Sequence, residues 1–190
     1  KELNNPVPTE PLLFIKPGSC VVPLDESFSI PAERGAVHYE AEIAVLIGKP
    51  LSKKPNAEEV MDAISGFAPA LDLTLRDVQD QLKAKGYPWE VAKAFDGACV
   101  LAPFVPGDAV VDLRDIGIRL SLNGAVRQDG NSRDMLNPIL PLIQHICGHF
   151  SLQPGDVILT GTPAGVGPLA SGDQLQLELV DHSSFVSQVL

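Results

Sequence analysis

The sequence predicts an α+β domain built mainly of strands, and three observations lead there. Proline stands at 17 positions and glycine at 16 of the 190 residues, which implies many short elements joined by turns and argues against a helical bundle. Hydrophobic residues make up 45% of the chain, enough to bury a core at this length. No repeat, low-complexity tract or linker divides the sequence, so residues 1–190 are expected to form a single domain.

The elements follow in order. The run AVHYEAEIAVLIG, Ala36 to Gly48, begins with alternation and ends continuously apolar, as a strand does when it passes from a partly polar site into a core. Ala57 to Ser65 has helical spacing. The apolar stretch from Phe67 to Leu73 leads to Thr74-Leu75-Arg76-Asp77, where Thr followed three residues later by an acid predicts a helix start, with the helix running to about Lys85 before Gly86. Asn123-Gly124 lies between two alternating runs from Ile116 to Arg127 and predicts a tight hairpin. After Asn137-Pro138, the segment ILPLIQHICGHF fits a buried helix with Pro141 in its first turn. Asp156 to Thr160, Gln174 to Val180 and Phe185 to Leu190 read as further strands.

Charge narrows the function classes. With 24 acidic and 14 basic residues, the net charge of -10 has the wrong sign for a phosphate-backbone binder, so no nucleic acid partner is expected. No apolar run reaches the roughly 18 residues of a membrane span, and the start Lys1-Glu2-Leu3-Asn4-Asn5 is not a secretory signal. No membrane association and a cytoplasmic location are therefore the expectations. Cys20, Cys99 and Cys147 have no metal-ligand spacing and are expected to be buried thiols in a reducing compartment. The chain lacks an initiator Met, so a preceding segment is expected to be missing.

Strand alternation puts His38, Glu40 and Glu42 on one face. Two ionised carboxylates about 5 Å apart repel by roughly 3 kcal/mol at an effective dielectric of about 20, which calls for a positive group between them. The same spacing also describes a solvent-facing edge carrying two ordinary acids. Asp72 is a third acid, isolated at the end of the apolar stretch FAPALDLT, where its desolvation must be offset by hydrogen bonds or a metal. Three carboxylates without a nearby thiol select a hard cation, Mg²⁺ or Mn²⁺, over zinc.

The strand HYEAEIAVLIGK, the stretch ALDLTLRDVQ, the segment GYPWEVAKAFD and LTGTPAGVGPL, in that order and preceded by FIKP at Phe14 to Pro17, resemble the motifs of the fumarylacetoacetate hydrolase family, in particular its small acylpyruvase and oxaloacetate decarboxylase-like members. The resemblance spans nearly the whole chain. It implies a rolled mixed β-sandwich, a homodimer, and Glu40, Glu42 and Asp72 as ligands of Mg²⁺, with Mn²⁺ as the alternative. It also implies substrate contacts from Gln79, Lys93 and Thr162, with Lys93 as an active-site lysine. Glu2 takes the register of a lid glutamate that activates water together with a His three residues earlier, a position that falls before Lys1. The implied substrate is a small 2-oxo acid, and the implied reaction is Mg-dependent hydrolysis of a C–C bond in 3-acylpyruvates through a pyruvate enolate. Oxaloacetate decarboxylation and 2-hydroxydienoate isomerisation use the same enolate and are the alternatives, as is a non-catalytic 2-oxo-acid or metal-binding module.

Other residues receive structural readings. Arg76 shares a helix face with Gln79 but stands beside Asp77 and Asp80, and is read as a local ion-pair partner. His145 and His149 lack the adjacent Glu of a zinc hydrolase helix and are not expected to bind metal. His38 is read either as a hydrogen-bond partner of the carboxylates or as a packed His. Gly165-Val166-Gly167 is read as turn structure, since no Lys-Ser/Thr follows to make a phosphate loop.

Overall fold

The computed structural model describes residues 9–190. Glu2 lies outside the described residues. The first half of the chain forms β1 (Val21–Pro23), β2 (Val37–Tyr39), β3 (Ala41–Ile47), α1 (Ala57–Ala63), β4 (Ile64–Asp72), β5 (Thr74–Leu75), α2 (Arg76–Lys85) and α3 (Glu90–Lys93). The second half adds β6 (Cys99–Leu101), β7 (Val105–Pro106), β8 (Gly117–Leu122), β9 (Ala125–Asn131), α4 (Ile139–Cys147), β10 (Val157–Leu159), β11 (Gly167–Pro168), β12 (Gln174–Leu179) and β13 (Ser183–Gln188). The mainly β prediction holds, and no helix of the described residues is long and apolar enough to cross a membrane.

These strands form three sheets: a six-stranded sheet ordered β1-β6-β4-β3-β10 with β7 beside β4, a three-stranded sheet β11-β2-β5, and a four-stranded sheet β13-β12-β8-β9. The four-stranded sheet is a meander whose buried residues alternate, with Ile118, Leu120 and Leu122 on β8 and Leu175, Leu177 and Leu179 on β12. This apolar face packs on the six-stranded sheet, β8 against β3 and β12 against β4. Strands β3 and β4 are buried at nearly every position, so they read as continuous apolar runs, the signature of strands covered on both faces.

The predicted hairpin is present. Asn123 and Gly124 both take positive φ, 51° and 78°, the conformation a tight turn joining twisted strands requires. Helix α1 begins at Asn56, whose side chain accepts from Glu59 N while Glu59 caps Asn56 N, a reciprocal cap. It ends two residues before the predicted limit because Ile64 and Ser65 already belong to β4.

Two expectations are corrected here. The Ala36–Gly48 strand is two strands. After Tyr39 the chain leaves the three-stranded sheet, where β2 pairs with β5, and after Glu40 it enters the six-stranded sheet, where β3 pairs with β4. Thr74 is not the cap of α2: its hydroxyl bonds Asp72 O, it pairs in β5 with His38, and the N-cap position belongs to Leu75, which offers no capping side chain. Helix α2 does end at Gly86 as predicted, with Gly86 N–H bonding Leu82 O and Lys83 O. The short elements β1, β6, β7, β11 and α3 were not anticipated.

Candidate metal centre

Both β2–β3 and β4–β5 cross from one sheet to the other at the same level. The joint in the first crossing is Glu40, and that in the second is Leu73, next to Asp72. Ala41 pairs with Leu71 and Glu42 with Ala70, and Asp72 N–H donates to Glu40 O at 2.9 Å. Side chains of antiparallel partners share a face, so Glu40, Glu42 and Asp72 converge over the small side chain of Ala70. Their carboxylate oxygens lie within 4.8 Å of one another, and all three residues are buried. Among the described residues no other group of His, Cys, Asp and Glu side chains converges in this way.

Three basic residues surround the acids. Lys93, at the end of the single turn α3 and only 3% exposed, donates from Nζ to Glu40 Oε2 and to Asp72 Oδ2, each at 2.7 Å. Arg76 donates to Glu40 Oε1 and, at 2.7 Å, to Gln79 Oε1. The local ion-pair reading of Arg76 is therefore corrected. Its side chain turns inward to the cluster, away from Asp77 and Asp80. Lys16 Nζ lies 2.7 Å from Asp72 Oδ1 and also donates to Lys93 O. The FIKP motif by itself assigns Lys16 no role; a lysine inside an otherwise apolar motif is the signal that marks it.

Electrostatics divides the acids. Burial opposes ionisation of Glu40, but Lys93 and Arg76 outweigh it and hold its carboxyl below the ordinary value. Burial likewise disfavours the Lys93 ammonium, yet Asp72 and Glu40 raise its pKa above that of a free lysine. Glu42 has no ion pair among the described residues; burial, then the charges of Asp72 and Glu40, push it up to about 8.

The turn after β10 closes the site. Gly161 N–H donates to Glu42 Oε2 at 2.6 Å. Gln128, on β9 and fully buried, accepts from Ala41 N at 2.9 Å and donates to Thr162 Oγ1 and Pro163 O, both at 2.8 Å. Its amide fastens the turn carrying Thr162 to the strand carrying Glu42. Because Thr162 Oγ1 accepts this bond, its own O–H remains available to donate. Gly165 follows at φ 101°, so close to β9 that a Cβ would stand 2.0 Å from Arg127 O. Gln128, one residue past the predicted hairpin run, was missed by sequence reasoning; only an inward register on β9 could have marked it.

The remaining candidates fall elsewhere. His38 neighbours Arg76, but its Nδ1 is buried without a hydrogen-bond partner and burial lowers its pKa, so it is a packed neutral His and not a partner of the carboxylates. His145, on the side of α4 away from its buried residues, meets His149, just past the helix end, edge to face with ring centroids 5.0 Å apart. The three cysteines are buried free thiols.

A divalent cation fits the cluster. The donors are all carboxylate oxygens, the set preferred by Mg²⁺ and Mn²⁺. Glu42 has no ion pair among the described residues, and burial with the charges of Asp72 and Glu40 opposes its ionisation. A cation at this place would relieve that cost, since an unpaired buried carboxylate is unfavourable.

Comparison with known proteins bears on this site. Residues 1–190 match the family described as fumarylacetoacetate (FAA) hydrolase C-terminal. Oxaloacetate tautomerase YcgM of Escherichia coli is 48% identical over 184 residues, which cover 96% of this chain and 84% of that protein. The mitochondrial oxaloacetate decarboxylase of Dictyostelium discoideum is 39% identical over 93% of this chain and 81% of its own. The crystal structure of fumarylpyruvate hydrolase from Pseudomonas aeruginosa in complex with Mn²⁺ and pyruvate superposes with a TM-score of 0.89 at 30% identity, covering 96% of this chain and 80% of that one.

Proposed function

This chain belongs to the fumarylacetoacetate hydrolase family, and from that premise we propose that it is a divalent-metal-dependent enzyme interconverting the keto and enol forms of oxaloacetate or a closely related 2-oxo dicarboxylate. The observation that carries the proposal is the convergence of Glu40, Glu42 and Asp72 within 4.8 Å beside Lys93. A divalent cation held by these carboxylates would supply Lewis acidity where enolate charge develops.

The chain's own groups would orient the substrate and donate to it. Keto–enol exchange takes a proton from C3, which passes to solvent water, and returns one to the 2-oxygen. Lys93 is kept protonated by Glu40 and Asp72, so Nζ can donate to the oxygen that gains charge. Gln79 Oε1 already accepts from Arg76, which leaves its NH₂ to donate to a substrate carboxylate, and the Thr162 hydroxyl can donate likewise. With Glu42 deprotonated, as a bound cation would require, the three acids balance Lys93, Arg76 and Lys16. A divalent cation adds two positive charges, which a dianionic 2-oxo dicarboxylate would balance.

The same groups would serve C–C cleavage, and the relation to the Pseudomonas hydrolase favours acylpyruvate hydrolysis as a second reading. That reaction also consumes a water, for which Glu2 is the candidate activating group. The experiment follows the loss of the enol absorbance of oxaloacetate with Mg²⁺ and with EDTA, while pyruvate release and acylpyruvate cleavage are assayed in parallel. Metal-dependent enol loss well ahead of pyruvate release supports the tautomerase. An enol decay rate no faster than buffer would sink it, and rapid acylpyruvate cleavage would put the second reading in its place.

A further inference from the structure

Helix α2 carries a third residue on the face of Arg76 and Gln79. Lys83 follows Arg76 by seven positions and Gln79 by four, and both intervals return to the same side of a helix. Its Nζ lies 5.4 Å from the centroid of the Trp89 ring. Trp89 in turn packs on Phe14 with ring centroids 6.0 Å apart, and Lys93 Nζ stands 5.4 Å from the Phe14 ring. Lys83, Trp89, Phe14 and Lys93 thus form a continuous wall running from the helix to the carboxylates.

Lys83 has no carboxylate within ion-pair distance among the described residues. Lys85, the other basic residue of the last turn, is exposed. Lys83 is half-buried; burial lowers its ammonium pKa, Asp80 one turn earlier on the same helix partly offsets this, and Arg76, Glu40 and Lys93 are also close enough to act on it. A half-desolvated ammonium resting on an indole face, with Asp80 near it but no carboxylate in direct contact, is a receptor for an anion.

We propose that Lys83, held against Trp89, receives the distal carboxylate of a 2-oxo dicarboxylate whose 2-oxo end lies at Glu40, Glu42, Asp72 and Lys93, and that it sets the preference for dianionic over monoanionic ligands. The proposal rests on the reading of the cluster as a 2-oxo-acid site. Arg76 and Gln79 govern the near end of the ligand and Lys83 the far end, so one face of one helix measures substrate length and charge.

The test is calorimetric binding to the full chain in saturating Mg²⁺, comparing oxaloacetate with 2-oxobutanoate, which has the same four carbons without the distal acid. The parent should bind oxaloacetate roughly tenfold or more tightly than 2-oxobutanoate, the factor a charge-assisted hydrogen bond supplies. Lys83→Met should bring that ratio to about one by weakening oxaloacetate alone, while Lys83→Arg keeps it. A ratio unchanged in Lys83→Met, or a parent that does not discriminate, overturns the proposal. A Lys83-dependent preference in a protein that leaves the enol decay rate unaltered would instead uphold Lys83 and remove the tautomerase reading.

Discussion

Lys93 and Glu42 represent opposite solutions to burying a charge. Lys93 contacts two carboxylates and stays ionised, whereas Glu42 receives a single backbone N–H and is pushed up to about 8. Replacing Lys93 by Met keeps the apolar stem but leaves Glu40 and Asp72 without their shared cation, and breaking a buried pair costs about 3–5 kcal/mol. Lys93→Met should therefore lower the melting temperature of the metal-free protein, with Mg²⁺ restoring a larger share than in the parent, and should lower kcat/KM at least tenfold. Unchanged kinetics would return Lys93 to a structural role. Glu42→Ala removes the carboxylate with the least counter-charge, and the thermal stabilisation that Mg²⁺ gives the parent by mass action should vanish. A Mg²⁺ shift equal to the parent's would show that the ion binds elsewhere.

The hairpin β8–β9 illustrates how an element can be legible while its purpose is not. Asn123-Gly124 announced the turn from local conformational preference, but Gln128, four residues on, makes its three hydrogen bonds to residues 34 to 87 positions away in sequence. Gln128→Leu should destabilise the fold by about 2–3 kcal/mol, since it strands a buried Ala41 N–H. It should also lower kcat/KM while leaving the Mg²⁺ thermal shift nearly intact, because the turn holding Thr162 loosens and Glu40 and Asp72 keep their contacts. Loss of the metal response in Gln128→Leu would place its role at Glu42. Similarly, α3 is a single turn, too short to leave a periodic pattern, and β2 and β3 read as one strand because alternation continues through Glu40 while the pairing partners change.

At the scale of the whole molecule the cluster couples folding to pH. Glu42 binds a proton more tightly folded than unfolded, so its contribution to stability is fully present below the unfolded value of 4.5 and is lost as pH rises through about 8. Glu40 is shifted the other way and loses its contribution only as pH falls below the ordinary carboxylate range. In EDTA, the melting temperature should fall between pH 6 and pH 8 and the slope should disappear in Glu42→Gln. Because a cation must displace the Glu42 proton, the Mg²⁺-induced rise in melting temperature should grow over the same interval; a Mg²⁺ effect independent of pH would contradict the raised Glu42. The sequence by itself determined the elements whose signals are local: the Asn123-Gly124 turn, the end of α2 at Gly86, the two-sided burial of Ile43 to Ile47, and the shared face of Glu40 and Glu42. It also carried the ordered motifs by which the family is recognised. Only the tertiary structure decided that two chain segments cross between sheets at one level, that Arg76, Lys16 and Lys93 meet the three acids there, and that Gln128 ties Thr162 to them. Periodicity records which face of an element is buried, whereas the partners on that face come from distant segments whose approach is fixed by strand pairing and packing of the whole chain.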